Sequence, residues 1–349
     1  MDYIVDWLSS WNVGGKTSII WFILLAICLV FTSKGVVKNL DVIQSKTKIN
    51  GSFIGGAVLA GVSSMPELIT EIIQSNSGKP EIGIADDVGS NVFSIFLIGV
   101  TALIYLKKLF LGNCSKFVKI SLWTSFFVMA LFTTLLYVGK DVVIGVEGKF
   151  AIGIIPFLFF VFYLFTLYFE YKFGKDEDGE GATSEIFIKK TSVKKAFLLF
   201  LFWATLLVVS ALGLNWSADS MGNGFGLKGN LVGGFFLSIT TSLPEIIVFL
   251  ILMKQGKTSG AILTLVGSHI FNIGISFFGD LAYSQGPTFN NPEVSSNWEL
   301  GALGTGMILL LAIQVMIGKY LTKKRYYIII PIVVTITYLV GLSLIAIYT

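Results

Sequence analysis

Long apolar runs, separated by short polar breaks, dominate the chain. A bilayer core of about 30 Å needs roughly 20 apolar residues as helix. Ten stretches meet that length: about 17–33, 50–75, 81–106, 119–138, 150–171, 195–214, 228–253, 258–283, 298–318 and 326–348. They predict ten membrane-spanning helices, and an all-α polytopic membrane protein. The one long polar connection is 172–195, "KFGKDEDGEGATSEIFIKKTSVKK". It reads as a solvated linker, with an ion site in "DEDGE" as the less favoured alternative. It divides the chain into a first five-helix half, 1–171, and a second, 196–349.

Two of the runs hold residues that a helix in lipid avoids. "GVSSMPELITEI" begins at Gly61 and "ITTSLPEIIVFL" at Ile239. Each has a proline followed by a glutamate. Shifting the sequence by 178 positions without a gap lays one on the other. Over 51–95 against 229–273, 17 of 45 positions are identical, including the Pro-Glu and Gly-Ser pairs. A biased apolar composition alone would match about a tenth. Each half has an odd number of spans, so the two copies enter the membrane from opposite sides. Such inverted repeats are the architecture of secondary transporters, whose sites lie near the midplane where the repeats meet.

Composition supports lipid over water. The 349 residues are 54% hydrophobic and only 13% charged, against about a quarter charged in a soluble domain. The net charge of +4 comes from short basic clusters between spans, which topology explains better than nucleic-acid binding. Of the 25 basic residues, 20 fall on one side of the ten-span layout. The positive-inside rule makes that side cytoplasmic, with the 172–195 linker there and both termini outside. Cys28 and Cys114 lie in or near apolar segments, so neither a disulfide framework nor a cysteine metal site is expected. The N-terminus has no basic region before its apolar part. It reads as a short amphipathic stretch rather than a cleaved signal peptide.

The broken helices carry the candidate chemistry. Pro66 lacks an N–H, so the Val62 carbonyl loses its helical partner, and Pro244 does the same to Thr240. Freed carbonyls are tolerated at membrane depth where they line a polar cavity. Ser63, Ser64, Thr241 and Ser242 add hydroxyl oxygens, and Glu67 and Glu245 add charge. A mid-bilayer carboxylate costs several kcal/mol unless compensated, and a cation between two of them compensates both. An all-oxygen ligand set suits Ca²⁺ or Na⁺ rather than zinc or copper. In the following spans, Asp86, Ser90 and Ser94 are spaced by four on one helix face, as are Thr264, Ser268 and Asn272. These faces are read as completing the site. Gly89 and Gly267 allow close helix approach. His269, the single histidine, is read as a hydrogen-bonded packing residue, with a proton-sensitive switch as the alternative.

The motifs "SSMPE", "TSLPE", "GSNVF" and "GSHIFN" resemble the alpha repeats of the cation/Ca²⁺ exchanger superfamily, most closely its sodium/calcium exchanger branch. The resemblance implies exchange of several Na⁺ for one Ca²⁺ by alternating access. In that scheme the first spans of each half slide across a fixed core. It implies ion ligands at Ser63, Ser64, Glu67, Thr241, Ser242 and Glu245, with Ser90 and Ser268 as their partners. The chain departs from the pattern at Ser94 and Asn272, where the family carries an asparagine in one repeat and an aspartate in the other. Asp86 is expected to restore the missing acid, with exposure of Asp86 and Asp87 to water as the alternative. Glu71 is an additional acid one turn after Glu67. A Ca²⁺/H⁺ antiporter and a passive cation channel stay open as alternatives. An enzyme is disfavoured, since neither a histidine-rich metal motif nor an activated nucleophile accompanies the glutamates. No cofactor is expected; the partners are Ca²⁺, Na⁺ or H⁺ and the bilayer. A prokaryotic plasma membrane fits the short linker, while monomer and homo-oligomer are both compatible.

Overall fold

The computed structural model describes residues 15–47, 49–105, 111, 114–144, 152–174, 185–224, 237–320 and 324–348. Each of the ten expected spans has a helical counterpart. Helix α1 is Gly15–Lys46. The second span is broken into α2, Gly51–Ser63, and α3, Met65–Asn76, bent by 42°. Then follow α4 Pro80–Ile104, α5 Lys116–Val138, α6 Ile154–Phe173, the short α7 Glu185–Lys190 and α8 Val193–Gly224. The seventh span is described from Leu237 as α9 Leu237–Thr241 and α10 Leu243–Lys254. The chain closes with α11 Thr258–Ala282, α12 Pro292–Ser295, α13 Trp298–Ile317, α14 Lys324–Tyr327 and α15 Ile329–Tyr348. The "DEDGE" stretch, the N-terminal amphipathic segment and the start of the seventh expected span, 228–236, lie outside the described residues.

Three features depart from the expected layout. Helices α1 and α8 run well past the predicted ends at 33 and 214, to 32 residues each. Lys34, Lys38 and Asn39 end the apolar run in α1, but the helix continues because this stretch packs against protein rather than lipid. The 172–195 linker is partly helical, since it contains α7 and the start of α8. Strands β1 Val143–Ile144 and β2 Ile152–Gly153 pair antiparallel between α5 and α6. This edge is pinned by Asp280, which accepts from Gly153 N at 2.5 Å and from Thr288 N at 2.7 Å.

The outer surface carries exposed Ile20, Phe31, Phe127, Leu131, Phe165, Phe202 and Leu339. A water-soluble monomer does not display apolar area on that scale; a lipid-facing one does. The chain is an integral membrane protein with multiple spans. Helix α11 is the most enclosed span and packs on α2, α3, α4, α5 and α6. Helices α1 and α8 cross one another at the periphery, with Gly35 against Trp203 and Gly213 against Leu25.

Glycines set the tightest approach. A Cβ on Gly267 of α11 would stand 2.0 Å from the Gly56 carbonyl oxygen of α2. Gly56 lies in a π-helical turn, Ile54–Leu59, inside α2. Turns of that kind widen a helix locally and recur at functional sites.

Candidate ion-binding centre

Both Pro-Glu helices break one residue before their new N-terminus. Ser64 leaves helical geometry at φ −94°, ψ 12°. Ser242, its repeat counterpart, stands at φ −74°, ψ −7°. Pro66 and Pro244 follow within the first turn of α3 and α10, where a missing N–H removes no helical bond. Glu67 and Glu245 therefore lie in the first turns of helices that start inside the protein. The positive end of each helix dipole favours a carboxylate there. The Val62 and Thr240 carbonyls precede the two breaks, one turn before the prolines.

The breaks meet at the middle of the molecule. Glu67 and Glu245 are wholly buried, as are Ser64, Ser90, Thr241, Ser242 and Ser268. Ser64 Oγ donates to Glu245 Oε1 across the repeat interface. Ser90 Oγ, from α4, lies 3.3 Å from Glu67 Oε1 and 3.3 Å from Glu245 Oε2. It also lies 2.7 Å from Ser242 Oγ. One hydroxyl has one hydrogen, so it cannot satisfy both carboxylates together. Glu67 Oε2 has no hydrogen-bond partner. One oxygen of Glu67 is thus left unpaired, while the Ser64, Ser90, Ser94 and Ser268 hydroxyls gather beside Glu245; two carboxylates this close in a dry interior are costly unless positive charge enters.

The other candidates divide into those turned toward this centre and those turned away. Thr241 Oγ1 donates to Asp86 Oδ1 at 3.0 Å, which ties the second break to α4. Asp86 and Asp87 are buried, so the alternative that both face water is corrected: α11 and the two broken helices cover that face of α4. The Ser94 hydroxyl is buried without a hydrogen-bond partner. Ser63 Oγ donates back to the Leu59 carbonyl at 2.8 Å, and Ser268 Oγ to the Thr264 carbonyl at 3.0 Å. Their oxygens keep lone pairs for a ligand, but their hydrogens serve their own helices. Asn272 Nδ2 donates to Asn91 Oδ1 at 3.1 Å, and its own Oδ1 is buried without a partner. Asn91 Nδ2 donates to the carbonyl of His269, its repeat counterpart, at 3.2 Å. The His269 ring reaches Ser125 Oγ through Nδ1 at 3.1 Å, in keeping with a packing role.

Two positions carry more than the motifs suggested. Ser238, four residues before Ser242, accepts on its carbonyl from Ser242 Oγ at 2.5 Å, and that carbonyl lies 3.2 Å from Thr241 Oγ1, the alternative acceptor for the hydrogen that Thr241 gives Asp86. Its spacing one turn before Ser242 is a signal that could have drawn attention to it. Glu71 is wholly buried with its carboxylate wedged between Gly83 of α4 and Gly279 of α11. Among the described residues, no three His, Cys, Asp or Glu side chains converge tightly enough to hold a metal ion. A cation here would rely on two carboxylates supplemented by hydroxyl, amide and carbonyl oxygens.

Ser90 gives a direct handle on the geometry. Ser90→Ala removes the hydroxyl shared by both glutamates and costs about 1–2 kcal/mol of ion binding. Ca²⁺ affinity measured by isothermal calorimetry should fall about tenfold. Unchanged affinity would mean that the serine does not serve the ion.

Known proteins are similar to this chain along most of its length. The family profile described as sodium/calcium exchanger protein matches residues 17–169 and 195–349. The putative antiporter CaxA of Alkalimonas amylolytica is 26% identical over 251 residues, covering 71% of this chain and 75% of its own. Human sodium/potassium/calcium exchanger 2 is 29% identical over 126 residues, 36% of this chain and 19% of its own. In fold, the chain is similar to the sodium-calcium exchanger NCX_Mj, solved after soaking in Na⁺ and Sr²⁺. The TM-score is 0.67 at 20% identity, covering 93% of this chain and 97% of the other.

Proposed function

This chain belongs to the sodium/calcium exchanger protein family, and on that footing we propose that it exchanges Ca²⁺ for Na⁺ by alternating access. Membership makes it an ion exchanger, not an enzyme. The observation that carries the sodium-coupled reading is the carboxylate pair. Glu67 and Glu245 are wholly buried and share the Ser90 hydroxyl. One Ca²⁺ neutralises both, and so do two Na⁺. Either load lowers the cost of holding the pair in a dry interior, and their competition for the same oxygens is the basis of exchange. In this reading Ser64, Thr241, Ser242, Ser63, Ser268, Ser94 and Asn272 contribute oxygens around the pair, with the Val62 and Thr240 carbonyls at the breaks. The basic side of the molecule is cytoplasmic.

Asp86 acts in this reading through Thr241, adding negative potential where the family pattern has an acid at the position of Asn272. Asp86→Asn should lower Ca²⁺ uptake at limiting Ca²⁺ about tenfold, since long-range charge in a low-dielectric site is worth about 1–2 kcal/mol. Uptake at the wild-type rate in this variant, with Glu67→Gln inactive, would remove Asp86 from the mechanism.

Proton coupling is the competing reading. Two carboxylates buried this close together also take up protons, and CaxA is a putative antiporter whose name specifies no ion. ⁴⁵Ca²⁺ uptake into proteoliposomes separates the two. Sodium coupling requires uptake driven by an outward Na⁺ gradient at clamped pH, and none driven by an outward H⁺ gradient without Na⁺.

A further inference from the structure

Glu71 and Asp87 are two buried acids that the ion centre leaves unused, and both lie to one side of it. Glu71 follows Glu67 by one turn of α3, about 6 Å along the axis. Asp87 precedes Ser90 by three residues on α4, and Gly279 follows Ser268 by eleven on α11. There the three helices approach the face opposite the basic loops, which is extracellular in the orientation read above.

Glycines make room for the Glu71 carboxylate and offer it no hydrogen bond from a side chain. A Cβ on Gly83 would collide with Oε2, and one on Gly279 with Oε1. Ser75 Oγ reaches Oε1 only at 3.5 Å, beyond the usual range of a hydrogen bond. Oε2 has no hydrogen-bond partner, and neither oxygen of Asp87 has one. The two residues are 0% and 2% exposed. The charged groups that reach them are all acids: Asp86 from α4, Asp280 from α11, and Glu67 and Glu245 from the centre. Helix α8 brings only the neutral Asn215, to the neighbouring Thr70. Among the described residues, no basic side chain pairs with Glu71 or Asp87. A carboxylate held charged in such surroundings is costly. A hard cation would need about six oxygens to replace its water, and the glycine-lined wedge does not supply them. A proton needs one.

We propose that Glu71 is a proton-binding site on the extracellular approach to the ion centre, filled when the centre lacks a cation and emptied when a cation enters. This rests on cation binding by Glu67 and Glu245 as read above. The coupling is electrostatic. A proton on Glu71 removes one negative charge from the acids around the centre, and a cation at the centre favours that charge. Each therefore weakens the other's binding by the same factor. The proton is taken up and returned on one side of the membrane, so it modulates exchange without driving it. Extracellular acid weakens Ca²⁺ binding, and alkaline medium strengthens it.

Two readouts test the site in the full chain. In sealed proteoliposomes of defined orientation, the KM for Ca²⁺ should rise several-fold when the extracellular side is acidified at fixed internal pH, with the maximal rate little changed. Glu71→Gln is locked in the uncharged form. Its KM should sit at the acid value of the wild type and respond weakly to extracellular pH. Glu71→Asp should keep the response. Glu71→Met, apolar and of similar length, should behave as the glutamine variant, and replaces it if the amide does not fold. In infrared spectra of the purified protein, a carboxylic-acid carbonyl should fade when Ca²⁺ is added, and this change should be weaker in Glu71→Gln. A pH response retained in full by Glu71→Gln and Glu71→Met, or an infrared change of undiminished strength there, overturns the proposal. Loss of Na⁺ affinity with the pH response intact would make Glu71 a cation ligand instead. A Glu71-dependent pH response in a protein whose Ca²⁺ uptake ignores the Na⁺ gradient would leave the proton site standing and sink the sodium-coupled reading.

Discussion

Proteoliposomes carrying Glu245→Gln should take up ⁴⁵Ca²⁺ no faster than empty liposomes. Glu245 is wholly buried, accepts from Ser64 and shares Ser90 with Glu67. Glutamine keeps the shape and removes the charge. Removing one member of a buried charge interaction costs about 2–5 kcal/mol, or about thirty- to several-thousand-fold in affinity. Either end of that range removes uptake at micromolar Ca²⁺. Glu67→Gln should do the same, because the two acids flank one hydroxyl. Stability should move the other way. Without ions the pair is a source of repulsion and desolvation cost, so the ion-free variant should melt at or above the wild-type temperature. Ca²⁺ should then stabilise the wild type and not the variant, since a ligand stabilises only the state that binds it. A variant that melts earlier and transports normally would reverse both halves of the expectation.

Gly267→Ala should be among the most damaging single methyl groups at the described glycines. Its Cβ would stand 2.0 Å from the Gly56 carbonyl oxygen and 2.9 Å from Gly56 Cα. Both are backbone atoms, so no side chain can rotate away and α2 must separate from α11. Overpacking of this kind costs about 1–3 kcal/mol, which corresponds to a melting temperature lower by several degrees. The displacement falls next to Ser268 and on the helix that carries Ser63, so exchange should fall with it. Gly306→Ala is the control, because nothing lies within 4 Å of a Cβ there. A Gly267→Ala protein with wild-type melting and exchange would mean that the close crossing is not required.

Much of this was legible because the chain repeats itself. The Pro-Glu pairs located both breaks, and the structure puts them at Ser64 and Ser242, counterparts under the 178-residue shift. Hydropathy located ten spans but ended α1 and α8 too early, since it tracks contact with lipid and the polar end of α1 packs against protein. The π turn at Ile54–Leu59 left no hydropathic trace. Nor does sequence symmetry extend to the hydrogen bonds. Ser64 donates to Glu245, whereas its counterpart Ser242 donates to the Ser238 carbonyl. Ser90 bridges both glutamates, whereas Ser268 donates to Thr264. Side-chain rotation is a choice among near-equal partners, and periodicity holds no information about it. Asp86 shows the same limit. Its spacing placed it on the face of Ser90, but only the packed structure shows it buried on Thr241.

If the buried Glu67–Glu245 pair exchanges Ca²⁺ for Na⁺, a Na⁺ gradient alone should drive Ca²⁺ across the membrane. The most direct measurement is ⁴⁵Ca²⁺ uptake by purified protein in proteoliposomes loaded with Na⁺ and diluted into Na⁺-free buffer at equal internal and external pH. Sodium-coupled exchange requires rapid uptake that collapses when the Na⁺ gradient is removed and is absent in Glu67→Gln and Glu245→Gln. Uptake that ignores the Na⁺ gradient, or that persists in both glutamine variants, would contradict it.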